Sequence, residues 1–371
     1  MYANTLRSGA ERDNAMKKLF CCLLALLLLS SAALAAEMRT GEEGCLRFGA
    51  YLYCVEADGL YRLEGTQRAQ VCAWPLDPYG GLVSDGVTAW ALGEDGEIVR
   101  VDLESGAAEA VAQCGADMSV QALVGCVEDT FYLLGDYSEM DAYTLFALNA
   151  DGVTRVMDGA GSGFHWGDRL VVRAWTGDVD AGWLRVVPTG GAVEEISELA
   201  YMATACDGAL YYWEGVLSDG GEYWMENAWL CRRDDAGETA IAQTGTGSFY
   251  VQPFFDGFGR VILNDQDNIC AIIELANSRY TRVEMGDRDH SEWQYDTLWF
   301  FDRANGNVYS YGNTSRDLFL EWDGTQWNTC HVAELSPLAE NRRNTVVDIY
   351  DGIAYCRVLD DPTHLYWSLE L

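Results

Sequence analysis

The sequence predicts an all-β protein, and two features lead to this prediction. Apolar and aromatic residues alternate with polar ones in many short runs, with the period of two that is typical of strands burying one face. Glycine is abundant, at 38 of 371 residues, and Asn, Asp and Gly separate the runs, as tight hairpin turns require. Helical patterns are weak. Two stretches, Glu194 to Ala205 and Ala333 to Arg343, have some helical character and are interpreted as short helices or loops.

The second feature is an internal repeat. A Gly or Asp-Gly turn followed by an apolar and aromatic run recurs along the chain, separated by 36 residues (Gly49 to Asp85) to 55 residues (Asp296 to Asp351). Each unit contains a tight turn, a strand, a second strand, and a further turn into a third strand. Four-stranded units of about 40 residues are the repeat of β-propellers. We therefore expect a β-propeller of seven or eight blades with about four strands each. The eight turns begin at Gly49, Asp85, Glu128, Gly167, Asp207, Asp256, Asp296 and Asp351.

Residues 36–371 are expected to form this single propeller domain. The last unit, from Asp351, is too short for four strands. We expect a strand near Gly44–Phe48 to complete it and close the ring, because closure removes free strand edges. An open β-solenoid is the alternative, although its repeats are usually shorter and more regular.

The N-terminal residues have the pattern of a secretory signal peptide. Lys17 and Lys18 precede an apolar run from Leu19 to Leu29, and Ala33-Leu34-Ala35 provides a small-x-small cleavage site. Cleavage is expected after Ala35, and Met16 is the expected start, so that residues 1–15 form an N-terminal extension. The prediction is a secreted or cell-envelope, extracytoplasmic protein that touches a membrane only through an uncleaved signal.

The charge balance is strongly acidic, with 58 Asp and Glu against 24 Lys and Arg and a net charge of −34. A field of this sign repels nucleic acid and anionic membranes and attracts cationic partners. Lys17 and Lys18 are the only lysines, and both precede Ala35. Lysine-based Schiff-base chemistry and lysine-dependent phosphate loops are therefore excluded for the mature chain.

Ten cysteines follow the signal, with no C-x-x-C pair and no Cys/His cluster at metal-ligand spacing. Several lie inside apolar strand patterns, such as Tyr53-Cys54-Val55, where a cysteine acts as a small buried residue. One or two disulfides at most are expected, with the pairing open. No metal and no cofactor are predicted.

No catalytic residue is predicted, because the chain has no Gly-x-Ser-x-Gly elbow and no nucleophile paired with a base. Ser84 to Trp90 contains the residue types of a sialidase turn, but at the wrong spacing. Asp178 to Gly182 matches half of a calcium-binding loop. Both are interpreted as ordinary turns. His165, beside Trp166, either lines a pocket or is a satisfied loop histidine, the interpretation that we favour.

Tryptophan gives the best indication of a binding function, because flat aromatic faces stack on sugars and on extended peptides. Most of the thirteen tryptophans lie in strand patterns, where packing between blades accounts for them. A subset lies in insertions of the fifth and seventh units, and insertions in repeat folds often collect on the binding face. The candidate ligand-binding residues are Tyr223, Trp224, Trp229, Trp322 and Trp327.

The phrases DGLYRL at Asp58, DGALYYWE at Asp207 and DGIAYC at Asp351 carry a family resemblance. They resemble the D-G-x-[LIV]-Y-[YF] repeats of bacterial exported β-propellers of unknown function, which are similar to YWTD-type and quinoprotein-like propellers. The resemblance covers roughly Gly44 to Leu371. It implies a propeller fold and a surface or envelope binding role, and it implies no catalytic residues. The Tyr-Trp-Thr-Asp tetrad is absent, and the only adjacent cysteines, Cys21 and Cys22, lie in the signal, so a quinone cofactor is not expected.

Two functions remain open at this stage. The first is a non-catalytic binding or scaffold propeller that contacts a protein, peptide or glycan at the cell surface. The alternative is a polysaccharide-acting hydrolase or lyase with carboxylates in the central channel. Clustered carboxylates around an aromatic-lined pocket would favour the enzyme, and a channel lined by small and apolar residues would favour the binding protein.

Overall fold

Every element of regular structure in the computed structural model is a β-strand, so the all-β prediction is confirmed for the described part of the chain. The described residues are 38–41, 44–115, 118–136, 143–174, 182–187, 193–206, 208–217, 225–243, 254–255, 260–264, 269–274, 279–284, 297–302, 304–305, 307–312, 318–322, 327–332, 344–358, 363 and 365–371. The predicted signal peptide lies outside them. Within them, no helix is long and apolar enough to cross a bilayer.

The strands of the described residues pair in antiparallel fashion and form six sheets. The first sheet contains Cys45–Phe48 (β2), Tyr51–Glu56 (β3), Gly59–Glu64 (β4) and Gln67–Cys72 (β5). The second has the order β1-β6-β7-β8-β9 and contains Arg39–Gly41 (β1), Leu82–Ser84 (β6), Thr88–Leu92 (β7), Glu97–Asp102 (β8) and Ala108–Gln113 (β9).

The third sheet is the longest and has ten strands in sequence order. It contains Val120–Val127 (β10), Thr130–Gly135 (β11), Tyr143–Asn149 (β12), Gly152–Trp166 (β13), Arg169–Ala174 (β14), Gly182–Val187 (β15), Glu194–Cys206 (β16), Ala209–Leu217 (β17), Met225–Asp234 (β18) and Gly237–Gln243 (β19).

The last three sheets have four, four and three strands, again in sequence order. They contain Phe254–Phe255 (β20), Arg260–Asn264 (β21), Ile269–Glu274 (β22) and Arg279–Glu284 (β23); Thr297–Phe301 (β24), Val308–Gly312 (β25), Leu318–Trp322 (β26) and Trp327–Val332 (β27); and Asn344–Tyr350 (β28), Ile353–Val358 (β29) and Tyr366–Glu370 (β30).

Two unusually long strands divide the ten-stranded sheet into four-stranded segments. The first part of β13 pairs with β12 up to Ala160, and the remainder pairs with β14. In the same way, β16 pairs with β15 up to Ala200 and with β17 beyond it. Each long strand therefore ends one segment and begins the next without a loop between them.

The predicted helical character of Glu194 to Ala205 is wrong, since these residues lie in β16. Ala and Glu are good helix formers, but intrinsic propensity is a weak influence, and pairing on both sides of the strand outweighs it. The second stretch, Ala333 to Arg343, lies outside the described residues.

Apolar clusters join successive sheets face to face, as blades pack in a propeller. Leu46, Tyr53 and Val55 of the first sheet pack with Leu82 and Val99 of the second. Similar clusters join the second sheet to the start of the third, join segments within the third, and join the β24–β27 sheet to the β28–β30 sheet.

The first strands of the successive four-stranded units, β2, β6, β10, β13 and β16, lie next to one another and mark the central axis. Contacts join β2 to β6, β6 to β10, β10 to β13, and β13 to β16. The N-terminal strand β1 contacts β2, β10 and β13 and pairs with β6. Thr40 in β1 donates a hydrogen bond of 2.7 Å from its hydroxyl to the carbonyl of Val124 in β10. Residues 39–41 therefore lie among the inner strands, at the axis.

The first and last sheets also contact each other. Leu52 and Cys54 form one buried cluster with Tyr355 and Tyr366. The expected closing strand does not join the last sheet, however, because Cys45–Phe48 pairs with β3 in a sheet of its own. A two-residue turn links β2 directly to β3, and this local hairpin forms in preference to a distant pairing. The two ends of the ring are joined through side chains and through one backbone hydrogen bond, which the N–H of Ala57 donates to the carbonyl of Thr363 at 3.3 Å.

Candidate functional site

Among the five predicted ligand-binding residues, Trp229, on β18, is the one whose side-chain exposure the structure describes. Its cross-strand neighbours are Glu214 on β17 and Gln243 on β19. Side chains directly opposite each other in antiparallel strands lie on the same face. Trp229 is 42% exposed, which is large for a tryptophan in the middle of a sheet.

Two carboxylates and a thiol lie on the same face as this indole. Side chains alternate between the faces of a strand, so Cys231 and Arg233, two and four residues after Trp229, lie on the same face as the indole. Glu238 of β19 lies opposite Arg233 and so shares this face. One oxygen of Glu214, one oxygen of Glu238 and the Cys231 sulfur lie within 4.8 Å of one another. We call Trp229, Glu214, Glu238 and Arg233 the Trp229 surface.

Hydrogen bonds hold both carboxylates in place. The Ser197 hydroxyl donates to Glu214 Oε1 at 2.7 Å, and the phenol of Tyr212 donates to Glu238 Oε2. Tyr212 is fully buried. Burial and, to a smaller extent, the Glu238 carboxylate raise the pKa of Tyr212, so its proton stays on the phenol. The carboxylates are therefore fixed on the sheet before any ligand arrives.

The Trp229 surface has a negative balance of charge. Arg233 is its cation, and it forms an ion pair with Glu194 and lies 4.0 Å from Glu238. Glu238 is exposed and Glu214 is half-buried. An exposed indole beside carboxylates attracts cations, both by stacking under a guanidinium or ammonium group and by direct charge pairing.

The chemistry that these groups support is binding. Burial and the two neighbouring carboxylates raise the pKa of Cys231 to about 12, so the group is a thiol at neutral pH and a poor nucleophile. The two carboxylate oxygens and the Cys231 sulfur, all within 4.8 Å of one another, leave room for a divalent cation between them. Coordination by the sulfur would first require loss of the thiol proton.

Of the other predicted binding residues, Trp322 and Trp327 lie in a different sheet from this surface. Trp322 and Trp327 are cross-strand partners at the end of the β26–β27 hairpin, so the fold brings these two positions together in a different sheet. Tyr223 and Trp224 lie outside the described residues, as do Asp178 and Asp180 of the partial calcium-loop pattern.

The structure also places the other motifs singled out in the sequence. Residues 84–90 contain the end of β6, the turn at 85–87 and the start of β7, and the Asp85 carboxylate accepts from the backbone N–H of Val87 and of Thr88. His165 lies in β13, not in a loop, and its Nε2 accepts the N–H of Cys126 at 3.0 Å.

Glu214, Cys231 and Glu238 were not predicted from the sequence. Each lies in a strand pattern that indicates only packing, and their proximity depends on the register of three strands. Period-two alternation from Trp229 predicts Cys231 on the same face. Glu214 and Glu238 could be found only once the hairpin pairings were known.

The sequence matches no protein-family model and no curated protein. Solved structures do match. BamB from Moraxella catarrhalis gives a TM-score of 0.52 at 11% identity, over 88% of this chain and 93% of that one. The computationally designed Ika8 protein gives 0.51 at 10% identity, over 89% and 98%. Dihydro-heme d1 dehydrogenase NirN gives 0.50 at 14% identity, over 91% and 78%.

The fold is that of a β-propeller. The likeness to these structures and the arrangement of the sheets around an axis agree on this point. At identities of 10 to 14% the likeness extends to the fold alone.

Proposed function

We propose that the chain is a non-catalytic, extracytoplasmic β-propeller that binds a basic peptide segment of a partner protein at the Trp229 surface. The observation that carries the proposal is the exposed indole of Trp229 directly opposite Glu214, with Glu238 close by. The net charge of −34 favours the approach of a cationic partner from a distance. The export pattern at Leu19 to Ala35 supports an extracytoplasmic location.

The proposed architecture is a single propeller domain over residues 36–371 with eight blades. The division of the ten-stranded sheet by β13 and β16 supports three blades in that sheet. The first, second, fourth, fifth and sixth sheets support one blade each, and the last of these has three strands.

The alternative, a polysaccharide-acting hydrolase or lyase, requires carboxylates in the central channel. The described residues favour the binding protein instead, since β1 lies at the axis among β2, β6, β10 and β13. Glu214 and Glu238 lie on β17 and β19, outside the first strands that meet at the axis.

The experiment is a titration of the purified chain with a fluorescent hexa-arginine peptide, with a hexa-glutamate peptide and a neutral oligosaccharide as comparisons. We expect the basic peptide alone to bind, Trp229→Ala to weaken binding at least tenfold, and Glu214→Gln to weaken it severalfold. Glu109→Gln is the matched control, because Glu109 is an exposed carboxylate on β9, away from this surface.

Each contrary outcome has a distinct meaning. Equal effects of Glu214→Gln and Glu109→Gln would show diffuse charge attraction without a site. Binding of the oligosaccharide that depends on Trp229 but not on Glu214 would replace the peptide with a glycan. Release of reducing ends from a polysaccharide panel by the purified chain would favour the enzyme.

A further inference from the structure

Two cysteines of the first sheet lie directly opposite each other. In the β2–β3 hairpin, Cys45 pairs with Cys54, three positions along from the closing pair Phe48 and Tyr51. No other pairing of described strands places two cysteines opposite each other, since Cys72, Cys126, Cys231 and Cys356 all lie opposite other residue types, and so do Cys206 and Cys270.

The hairpin geometry determines what kind of pair Cys45 and Cys54 form. A two-residue turn, Gly49 and Ala50, joins the strands, and Gly49 has the positive φ of 56° that such a turn uses. The pair that closes a two-residue turn exchanges backbone hydrogen bonds, and bonded and non-bonded pairs then alternate. Cys45 and Cys54 are therefore a non-hydrogen-bonded pair.

This class of pair suits a covalent bond between the side chains. Cα atoms of a non-hydrogen-bonded pair lie about 4.5 Å apart, and disulfides span about 4.4–6.8 Å. Burial and, to a smaller extent, the neighbouring Cys45 thiol raise the pKa of Cys54. Cys54 is fully buried and Cys45 is half-buried, which gives an external reagent access to one of the two.

We propose that Cys45 and Cys54 are a modification site, a dithiol that a disulfide oxidant converts into a cross-strand disulfide. No disulfide joins any of the eight cysteines whose side chains the structure describes. The proposal does not depend on the proposed ligand of the Trp229 surface.

The reaction is a two-step thiol–disulfide exchange with an oxidant RS–SR. The Cys45 thiolate attacks one oxidant sulfur, the RS–SR bond breaks, and RS⁻ leaves. The Cys54 thiolate then attacks the Cys45 sulfur, which breaks the mixed disulfide and releases the second RS⁻. The two cysteines lose two electrons and two protons, and the two RS⁻ groups take up those protons as RSH.

The disulfide would lie in the contact between the first and last sheets. Cys54 packs with Tyr355 and Tyr366, and Cys45 packs against the same cluster. Oxidation would fix the side of the first hairpin that faces the last sheet, and so would stabilise the closed ring against opening at this contact.

The experiment is peptide mapping after incubation of the full chain with oxidised glutathione. The protein is alkylated in denaturant without reductant and then cut with trypsin. Cleavage after Arg39, Arg47 and Arg62 separates the two cysteines into the peptides 40–47 and 48–62, each of which contains one cysteine. We expect a linked pair of these peptides whose mass is the sum of both less two hydrogens, absent after treatment with dithiothreitol.

Cys72→Ala is the control, since Cys72 is a buried cysteine of the same sheet that lies opposite Leu60, and this variant should keep the linked pair. Thermal unfolding gives a second measurement. We expect the oxidised wild-type chain to unfold several degrees higher than the reduced chain, and Cys45→Ala to lose this difference. Alkylation of both cysteines, linkage of either to a different cysteine, or a glutathione adduct that persists on Cys45 would each overturn the proposal.

Discussion

At the residue scale, His165 shows how burial sets chemistry. Its side chain is 6% exposed, Nε2 accepts the Cys126 N–H, and Nδ1 has no partner among the described residues. Desolvation lowers the pKa of His165 to about 4. The imidazole is therefore neutral at neutral pH, and it stabilises the β10 backbone by accepting a hydrogen bond.

This pKa predicts a loss of stability in mild acid. The pKa in the unfolded chain is about 6.5, above the folded value, so as the pH falls the unfolded state binds the proton first. The contribution of neutral His165 is complete above pH 6.5 and falls by about 3 kcal/mol as the pH is lowered to 4. Urea unfolding across this range should show the loss in the wild type.

The control is His165→Gln, which keeps a hydrogen-bond acceptor and removes the titration. We expect a shallower decline of stability between pH 6.5 and 4 in this variant. Identical pH dependence of the two chains would show that other groups cause the acid sensitivity.

The sequence could show neither the buried hydrogen-bonding role of His165 nor the carboxylates of the Trp229 surface. It indicated that His165 was a loop histidine, because the turn at Gly167 is visible but the length of β13 is not. Of the Trp229 surface, the sequence predicted Trp229 itself as a binding residue. Its carboxylate neighbours could not be predicted, because their positions depend on strand register.

At the element scale, an aspartate carboxylate that accepts backbone N–H groups stabilises its own turn at Asp102 and also joins two sheets at Asp302. After β8, the Asp102 carboxylate accepts from the backbone N–H groups of Glu104 and Ser105, within its own turn. Asp302, just after β24, accepts from Ala304 N–H in the same way, and also from the N–H groups of Asp351 and Gly352. Asp302 is fully buried and joins two neighbouring sheets.

This difference predicts unequal effects of the same substitution. Asp302→Ala leaves the partly buried backbone hydrogen bonds from Asp351 and Gly352 without an acceptor and should cost about 2 kcal/mol of unfolding free energy. Asp102→Ala removes only local bonds at an exposed turn and should cost clearly less. Urea midpoints of the two variants give the comparison. Equal losses would show that Asp302 does not connect the sheets.

Hairpin turns are the elements that the sequence predicts best. Asp351 and Gly352 have φ of 52° and 71°, and Glu128 and Asp129 have φ of 46° and 62°, the paired left-handed values of a type I′ turn. These conformations follow from short-range preferences. Strand β16 was missed because its two-sided pairing is a long-range effect, which local propensity does not contain.

At the scale of the whole molecule, the first and last sheets of the ring are joined by side chains and by the backbone hydrogen bond from Ala57 to Thr363. Arg47 of β2 forms an ion pair with Asp348 of β28, and its guanidinium lies 4.6 Å and 4.5 Å from the ring centres of Tyr350 and Tyr355. Glu56 of β3 accepts the N–H of Tyr366 at 3.3 Å. The sequence predicted closure of the ring but assigned it to a paired strand, because alternation shows a strand and not its partner.

The most direct test of this claim is a double-mutant cycle on Arg47→Met and Asp348→Asn, measured by urea unfolding. Their side chains are 4% and 16% exposed, so we expect a coupling free energy of about 1.5 kcal/mol or more. Arg100 and Glu109, an ion pair that is 53% and 57% exposed, form the control cycle, with an expected coupling below about 0.5 kcal/mol. Strong coupling at the first pair alone is the result that a closed ring predicts. Additive effects of Arg47→Met and Asp348→Asn would contradict it, because the first and last sheets would then not meet in solution.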